Sequence, residues 1–279
     1  MLPTFLIIGA MKSGTTSLYA YLKEHPEIGM PYNKEPDFFS NESCWTKGLT
    51  WYEGLFDGFK NKTARGEASV NYTKFPYYKD VPERICSIIP QVKLIYVLRS
   101  PVERTYSHYV HNVFAGIEAE SFENAIRNKP LYIQASLYYS QIEQYLKYFP
   151  RENMLIFLLD DLKNYPLATV QKVFAFLGVN SGFVPEGISE VRHQGAAKRG
   201  QDNLFMKLLR KSPFYHIAVA VLPDSLKDLF ACLLKKKICR PAPMSDAMHN
   251  QLLQMLSADI DKLSSFLDRD LSVWTAPKM

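Results

Sequence analysis

The sequence is poor in cysteine and has no long hydrophobic run. Only 4 of its 279 residues are Cys, at Cys44, Cys86, Cys232 and Cys239. No two of them have CxxC or metal-site spacing, so we expect free thiols in a reducing compartment. The N-terminus shows no signal-peptide pattern, which predicts a cytoplasmic protein. The most apolar stretch, residues 214–234, is interrupted by a proline and three charged residues, so no membrane span is expected.

A strong excess of charge of one sign is missing as well. Lys and Arg total 33 against 28 Asp and Glu, which gives a formal net charge of +5. This weak basicity agrees with an anionic ligand, but nucleic-acid-binding surfaces are far more basic, so no nucleic acid partner is expected. The hydrophobic fraction of 47% is enough for a sizeable core.

The beginning of the chain has the pattern of a strand, a glycine turn and a helix. Residues 5–18 read FLIIGAMKSGTTSL. The apolar run is typical of a buried parallel strand. Gly9 and Gly14 lie at the two ends of a turn whose backbone can come close to a ligand. The helix after it presents free N–H groups and the positive end of its dipole, which together bind phosphate.

The side chains of this turn suit the same purpose. Lys12 supplies a positive charge, and hydroxyl donors follow it at Ser13, Thr15, Thr16 and Ser17. The spacing differs from the nucleotide loop GxxxxGK[ST], in which the lysine follows the last glycine and the hydroxyl holds Mg²⁺. Here Lys12 precedes Gly14. The segment therefore predicts a phosphate site of another kind, and an ordinary strand–turn–helix is the alternative.

A second anion site is predicted at the end of another buried strand, KLIYVL at residues 93–98. Arg99 follows this strand directly, and Ser107 lies about two turns along the helix that Pro101 begins. Ligands of open α/β sheets bind beyond the carboxyl ends of strands. A guanidinium and a hydroxyl placed there could hold a second phosphate. A surface ion pair for Arg99 is the alternative.

Asp160 and Asp161 keep a different function open. They follow the apolar run MLIFLL, and an acidic residue after a strand is the pattern of a metal ligand in nucleotide-hydrolysing enzymes. These residues support a metal-dependent nucleotide kinase. The competing interpretation is that Asp161 is the N-cap of a helix beginning at Leu162.

Buried strands alternate with helices as far as residue 180, which predicts an α/β fold with a central parallel sheet in three layers, similar to P-loop proteins. A short strand is predicted at residues 65–70, and the helix from Leu162 is predicted to end at Leu177 with Gly178 as its C-cap. Further helices are predicted at about residues 202–211, 214–234 and 245–267. We expect one domain over residues 1–279, with an α/β core at 1–180 and a loop and helical extension at 181–279.

Four sequence blocks resemble sulfotransferases that use 3′-phosphoadenosine 5′-phosphosulfate (PAPS), especially the heparan sulfate branch and its bacterial relatives. The blocks are IIGAMKSGTTSLYAYLKEHP, NKEPDFFS, GEASVNY and LIYVLRSPVERTYSHY. The resemblance covers about residues 4–180. It implies sulfuryl transfer to a hydroxyl or amine of a carbohydrate or small-molecule acceptor, with adenosine 3′,5′-bisphosphate (PAP) as product and no metal.

The resemblance also implies roles for individual residues. Residues 12–17 would hold the 5′-phosphosulfate, and Arg99 and Ser107 the 3′-phosphate. Lys12 would also stabilise the leaving PAP. Glu35 of the KEPDFF loop would be the general base, and His108 is its rival because histidine is the commonest base. The family's loop over the 3′-phosphate would correspond to the basic segment containing Lys198, Arg199 and Gly200.

Two departures from the heparan-type pattern bear on the acceptor. Asp37 stands where those enzymes have histidine, and Ala68 stands where they have lysine. Both changes remove positive charge from the expected acceptor side, which argues against a highly anionic polysaccharide. A binding module without activity is a third possibility, but it would lack the base, and Glu35 is present.

Overall fold

A five-stranded parallel sheet lies at the centre of the computed structural model, which describes residues 1–188 and 241–275. The strand order is β2-β3-β1-β4-β5, and every neighbouring pair is parallel. This confirms the predicted α/β class. The strands are β1 (Phe5–Gly9), β2 (Ile28–Gly29), β3 (Ala64–Glu67), β4 (Lys93–Leu98) and β5 (Met154–Leu158).

Helices cover both faces of this sheet. In the described residues they are α1 (Thr15–Glu24), α2 (Glu42–Trp45), α3 (Leu49–Gly54), α4 (Val81–Ile88), α5 (Pro101–Phe114), α6 (Phe122–Asn128), α7 (Leu131–Gln134), α8 (Tyr138–Leu146), α9 (Leu159–Asn164), α10 (Pro166–Leu177) and α11 (Asp246–Leu267). No helix among these is both long and apolar enough to cross a membrane.

The three layers follow from the alternation of side chains along the strands. In β1, Leu6 and Ile8 face a core that they share with α8 and α11, whereas Phe5 and Ile7 face a second core with α1 and α10. All five residues of β1 are buried. A strand that is buried on both faces has a continuous run of apolar residues, which is why β1 could be predicted from the sequence.

The predicted helix near residues 245–267 is confirmed as α11 and packs on α5 and α8. Its carboxylate at Asp259 accepts hydrogen bonds from the backbone N–H groups of Tyr139 and Ser140, both at 2.9 Å. These N–H groups belong to the first turn of α8, which has no intrahelical acceptors for them. A helix from the end of the described chain therefore caps α8 from outside.

Several predicted boundaries differ from the structure. The strand expected at residues 65–70 ends at Glu67 and is followed by a 3₁₀ turn, Val70–Thr73. The helix expected from Leu162 is two helices, because α10 begins at Pro166, a residue that suits a first helical turn. The predicted C-cap at Gly178 is confirmed, with φ of 78°. The helices predicted at residues 202–211 and 214–234 lie outside the described residues.

Candidate functional site

The glycine turn after β1 adopts a conformation that glycine makes possible. Gly14 has φ of 89° and forms the N-cap of α1. A Cβ atom at Gly14 would lie 2.5 Å from Cδ1 of Leu159, and one at Gly9 would lie 2.3 Å from Oγ1 of Thr73. Both positions therefore exclude a side chain. The result is a tight loop that presents its backbone at the carboxyl edge of the sheet.

Some hydrogen-bond donors of this loop are paired within the protein, and others are available to a ligand. The N–H of Ser13 donates to the Ala10 carbonyl (3.1 Å), and that of Ser17 donates to the Gly14 carbonyl (3.1 Å). Thr15 and Thr16 occupy the first turn of α1, where backbone N–H groups lack intrahelical acceptors. The Oγ of Ser13 is buried and has no hydrogen-bond partner among the described residues. Such unpaired donors suit a phosphate group.

Lys12 belongs to a cluster of positive charges. Burial lowers the pKa of Lys12, and the nearby charges of Arg99 and Lys34 lower it further. The structure thus brings Lys12 from the first loop close to Arg99 from the end of β4. Like charges held this close repel each other, so an anion between them would relieve the repulsion.

Lys34 also belongs to this cluster, although no motif in the sequence pointed to it. Its Nζ contacts the hydroxyls of Thr15 (3.3 Å) and Thr16 (3.1 Å) and the Oε1 of Glu35 (2.8 Å). Glu35 is thereby held beside the turn that follows β1. The only signal in the sequence was that Lys34 directly precedes Glu35, and this does not reveal which loop it contacts.

Arg99 forms an ion pair in the structure with the helix that follows it. Its Nε and Nη2 donate to Oε2 of Glu103, at 3.0 and 2.8 Å. Glu103, Ser107 and His111 follow one another at intervals of four residues on α5, so they lie on one face of that helix. Ser107 therefore lies on the face to which Arg99 folds back.

Asp37 lies close to Glu35 in a constrained part of the loop. Its φ is 53°, and its backbone N–H donates to Oγ of Ser69 (3.0 Å). Its carboxylate accepts from Nδ2 of Asn71 (2.9 Å) and from Oγ of Ser40 (3.3 Å). Burial raises the pKa of Asp37, and the negative charge of Glu35 raises it further.

Lys74 places a positive charge close to Asp37 and Glu35. Its side chain is 8% exposed, and its Nζ donates to Oδ1 of Asn71 at 2.5 Å. Burial and the charge of Arg104 lower the pKa of Lys74 to about 8, although Asp37 and Glu35 act in the opposite direction. The sequence suggested that Asp37 and Ala68 remove positive charge here. Lys74 supplies one positive charge close to these positions, which the sequence did not reveal.

His108, the rival base, is poorly placed to accept a proton from an acceptor. It is 2% exposed, and its Nδ1 lies 3.4 Å from Nη1 of Arg104. Burial, together with the charges of Arg104 and Lys74, lowers the pKa of His108 to about 2. The ring is therefore neutral near pH 7 and is a weak base.

Asp160 and Asp161 lie inside α9, not at a free strand end. Both carboxylate oxygens of Asp161 accept from Arg269, at 2.6 and 2.7 Å. Burial raises the pKa of Asp161, but the bonds from Arg269 outweigh it, so the net effect lowers the pKa. The N-cap prediction was wrong by position, since α9 begins at Leu159 and Asp161 instead accepts from the Leu158 N–H (3.1 Å). With its carboxylate paired to Arg269, Asp161 is poorly placed to ligate a metal.

The remaining predicted residues lie elsewhere. Lys198, Arg199 and Gly200 fall outside the described residues, so their role stays a prediction. Within residues 1–188 and 241–275 no group of three or more His, Cys, Asp or Glu side chains could hold a metal ion.

Comparisons with known proteins point to one family. The chain is 33% identical over 200 residues to the human bifunctional heparan sulfate N-deacetylase/N-sulfotransferase 3, covering 64% of this chain and 22% of that protein. It is 32% identical over 190 residues to the mouse heparan sulfate glucosamine 3-O-sulfotransferase 3B1, covering 64% and 46%. The chain thus spans between about a fifth and a half of the length of these relatives.

A solved structure agrees over the whole chain. The sulfotransferase from Alicyclobacillus acidocaldarius superposes with a TM-score of 0.71 and 28% identity, covering 99% of this chain and 100% of that one. The sulfotransferase domain of the curacin biosynthetic pathway shares the fold, with a TM-score of 0.53 and 15% identity over 97% and 99% of the two chains. Residues 2–210 match the sulfotransferase domain family. The chain therefore belongs to the sulfotransferase domain family.

Proposed function

We propose that the protein transfers a sulfuryl group from PAPS to a hydroxyl or amino group of a carbohydrate or small-molecule acceptor, with PAP as the product. The observation that carries this proposal is the cluster of Lys12, Lys34 and Arg99 around the loop after β1, with Glu35 bonded to Lys34. Two anion-binding elements and a carboxylate beside them are what such a transfer needs. The family assignment supports the same reaction.

The residues present fit a donor with two separated phosphate groups. The free N–H groups at the start of α1, the buried Oγ of Ser13 and the charge of Lys12 suit the 5′-phosphosulfate. The remaining donors of this segment are Gly14, Thr15, Thr16 and Ser17. Arg99 and Ser107 suit the 3′-phosphate, because a guanidinium forms paired hydrogen bonds with phosphate oxygens. When bound, PAPS supplies the sulfuryl group and a bisphosphate leaving group.

Glu35 then acts as the general base. Its carboxylate accepts the proton of the acceptor hydroxyl as that oxygen attacks sulfur. Lys34 positions Glu35 through the 2.8 Å hydrogen bond and holds it against the threonines of α1. Lys12 supplies positive charge where negative charge develops on the leaving oxygen, in a partly buried site that strengthens the interaction.

Ligand-dependent thermal melting tests the donor site. PAP at about 100 times its Kd should stabilise the protein by about 2.7 kcal/mol, which raises the Tm by about 5–10 °C. Lys12→Ala and Arg99→Ala should reduce this shift, whereas Lys79→Ala, at an exposed position, should retain it. If ADP with Mg²⁺ raises the Tm and PAP does not, the proposal is wrong and the kinase alternative gains support.

Glu103 should compete with the donor for Arg99. Because Glu103 already pairs with both Nε and Nη2 of Arg99, a 3′-phosphate has to displace it. Exposed pairs of this kind are weak, so Glu103→Gln should tighten PAP binding by only about two- to fivefold. Isothermal titration calorimetry measures this change, with Glu83→Gln on α4 as the control. Weaker PAP binding by Glu103→Gln would show that Glu103 supports Arg99 instead of competing with it.

A further inference from the structure

We propose that Asp37, Asn71 and Lys74, here called the acceptor triad, bind the acceptor beside Glu35 and select one that is uncharged near its reacting hydroxyl. This inference rests on the proposed function and specifies the substrate class of the same site.

The acceptor triad is a continuous hydrogen-bonded unit. Lys74 donates to Oδ1 of Asn71 at 2.5 Å, and Nδ2 of Asn71 donates to Oδ2 of Asp37 at 2.9 Å. The Asn71 amide is therefore oriented by both neighbours, with its oxygen towards the cation and its nitrogen towards the carboxylate. Ser69 and Ser40 fix the Asp37 end through further hydrogen bonds. Side chains held in this way are preorganised for a ligand.

The triad lies close to Glu35, the proposed general base. Asp37 lies two residues after Glu35 in the same loop, and Lys74 is linked to Asp37 through Asn71, so both are close enough to Glu35 for its charge to act on their pKa values. His111, an exposed residue of α5, is also close to these groups. Partial burial lowers the pKa of His111, Lys12 and Lys74 lower it further, and Glu35 opposes them. Lys12, Glu35, the triad and His111 are therefore close to one another.

The balance of charge around Glu35 disfavours an anionic acceptor. Lys12 and Arg99 lie at the loop and strand end that face the donor, and its phosphates would neutralise them. On the acceptor side each cation already has a carboxylate partner, because Lys34 forms an ion pair with Glu35 and Lys74 is linked to Asp37 through Asn71. A carboxylate or sulfate on the acceptor would therefore add a negative charge beside two carboxylates, with no unpaired cation among these residues to bind it, and like charges brought together oppose binding.

The donor and acceptor atoms of the triad match a polyhydroxylated compound. A carboxylate only accepts hydrogen bonds and an ammonium group only donates them, whereas each hydroxyl group can do both. Neighbouring hydroxyls can therefore bridge from Asp37 to Lys74 while a third is presented to Glu35. An uncharged sugar has this arrangement, and it needs no counter-ion.

A matched pair of acceptors tests the inference. A tetrasaccharide of uronic acids and its fully methyl-esterified form carry the same hydroxyl groups and differ only in charge. We expect kcat/KM with PAPS to favour the ester by at least about tenfold, and the affinities of the PAP-loaded protein for the two compounds to follow the same order.

Substitutions in the triad should shift this preference in opposite directions. Asp37→Asn removes one negative charge and should narrow the preference for the ester by about fivefold or more. Asparagine tolerates the left-handed backbone at φ of 53°, so the loop is retained. Lys74→Met removes the cation and should widen the preference. Asp57→Asn and Lys79→Met, at exposed positions, are the matched controls.

The failure of this inference can be told apart from the failure of the proposed function. A protein that neither melts at higher temperature with PAP nor transfers sulfate contradicts the proposed function. If the protein binds PAP, three results would overturn only the acceptor inference. They are a preference for the free acid, no activity on either tetrasaccharide, and an equal loss of activity on both in Asp37→Asn.

Discussion

Glu35→Gln is expected to lower kcat by about 10²- to 10⁴-fold while PAP affinity stays unchanged. The amide keeps an oxygen that can accept the hydrogen bond from Lys34, so the loop should remain beside α1. It cannot accept a proton from the acceptor hydroxyl, and that step is the one the carboxylate performs. Steady-state turnover with PAPS, together with the melting shift produced by PAP, separates the two properties.

The control for this experiment is Glu83→Gln, the same substitution at an exposed position of α4. It should leave both turnover and the PAP shift unaltered. A Glu35→Gln variant that turns over at the wild-type rate would remove Glu35 from the mechanism. His108 is a poor replacement, because the ring is buried and its lowered pKa makes it a weak base.

Glu67→Gln is expected to stabilise the protein above neutral pH. Glu67 is fully buried, its Oε1 accepts from the hydroxyls of Tyr72 (2.7 Å) and Tyr52 (3.4 Å), and its Oε2 has no hydrogen-bond partner among the described residues. Burial raises the pKa of Glu67 from 4.5 to about 8. The folded protein therefore keeps this carboxyl protonated near pH 7.

The direction of the pH effect follows from the proton count. Between pH 4.5 and about 8 the folded state holds a proton on Glu67 that the unfolded state has released. Stability therefore decreases as the pH rises through this window, by a few kcal/mol in all at about 1.4 kcal/mol for each pKa unit. Glutamine is neutral in both states, so the variant should match the wild type near pH 4.5 and exceed it by a few kcal/mol at pH 8.

Urea unfolding at a series of pH values between 4.5 and 8.5 measures this effect. Glu83→Gln, whose side chain is exposed in the folded protein, should keep the wild-type pH dependence. If Glu67→Gln unfolds with the same pH slope as the wild type, then Glu67 is ionised in the folded state and the Tyr72 hydroxyl stabilises a buried charge.

The donor side of the site could be predicted from the sequence because it is local. Residues 5–18 contain the strand, the turn and the helix in one continuous segment, so their order alone places Lys12 beside the N–H groups of α1. Arg99 could be found for a similar reason, since it follows a strand that is apolar after its first residue, at the edge where ligands bind.

The acceptor side could not be predicted, because it forms from segments that are distant in the sequence. Lys34 contacts threonines about twenty residues earlier, and Asn71 contacts Asp37 across 34 residues. These contacts leave no periodic signal. The start of α9 was missed for another reason: its first residue, Leu159, continues the apolar run of β5, and the partner that explains Asp161 is Arg269.

The cap that Asp259 places on α8 has a consequence for where the folded unit ends. Tyr138 begins α8, and its hydroxyl donates to the backbone carbonyl of Arg99 at 2.9 Å. A protein shortened to the family match at residue 210 would lose α11, the Asp259 cap and the apolar cover that Leu252 and Leu256 give to α5 and α8. The stretch recognisable by family resemblance is thus shorter than the stretch that must fold together to hold Arg99 in place.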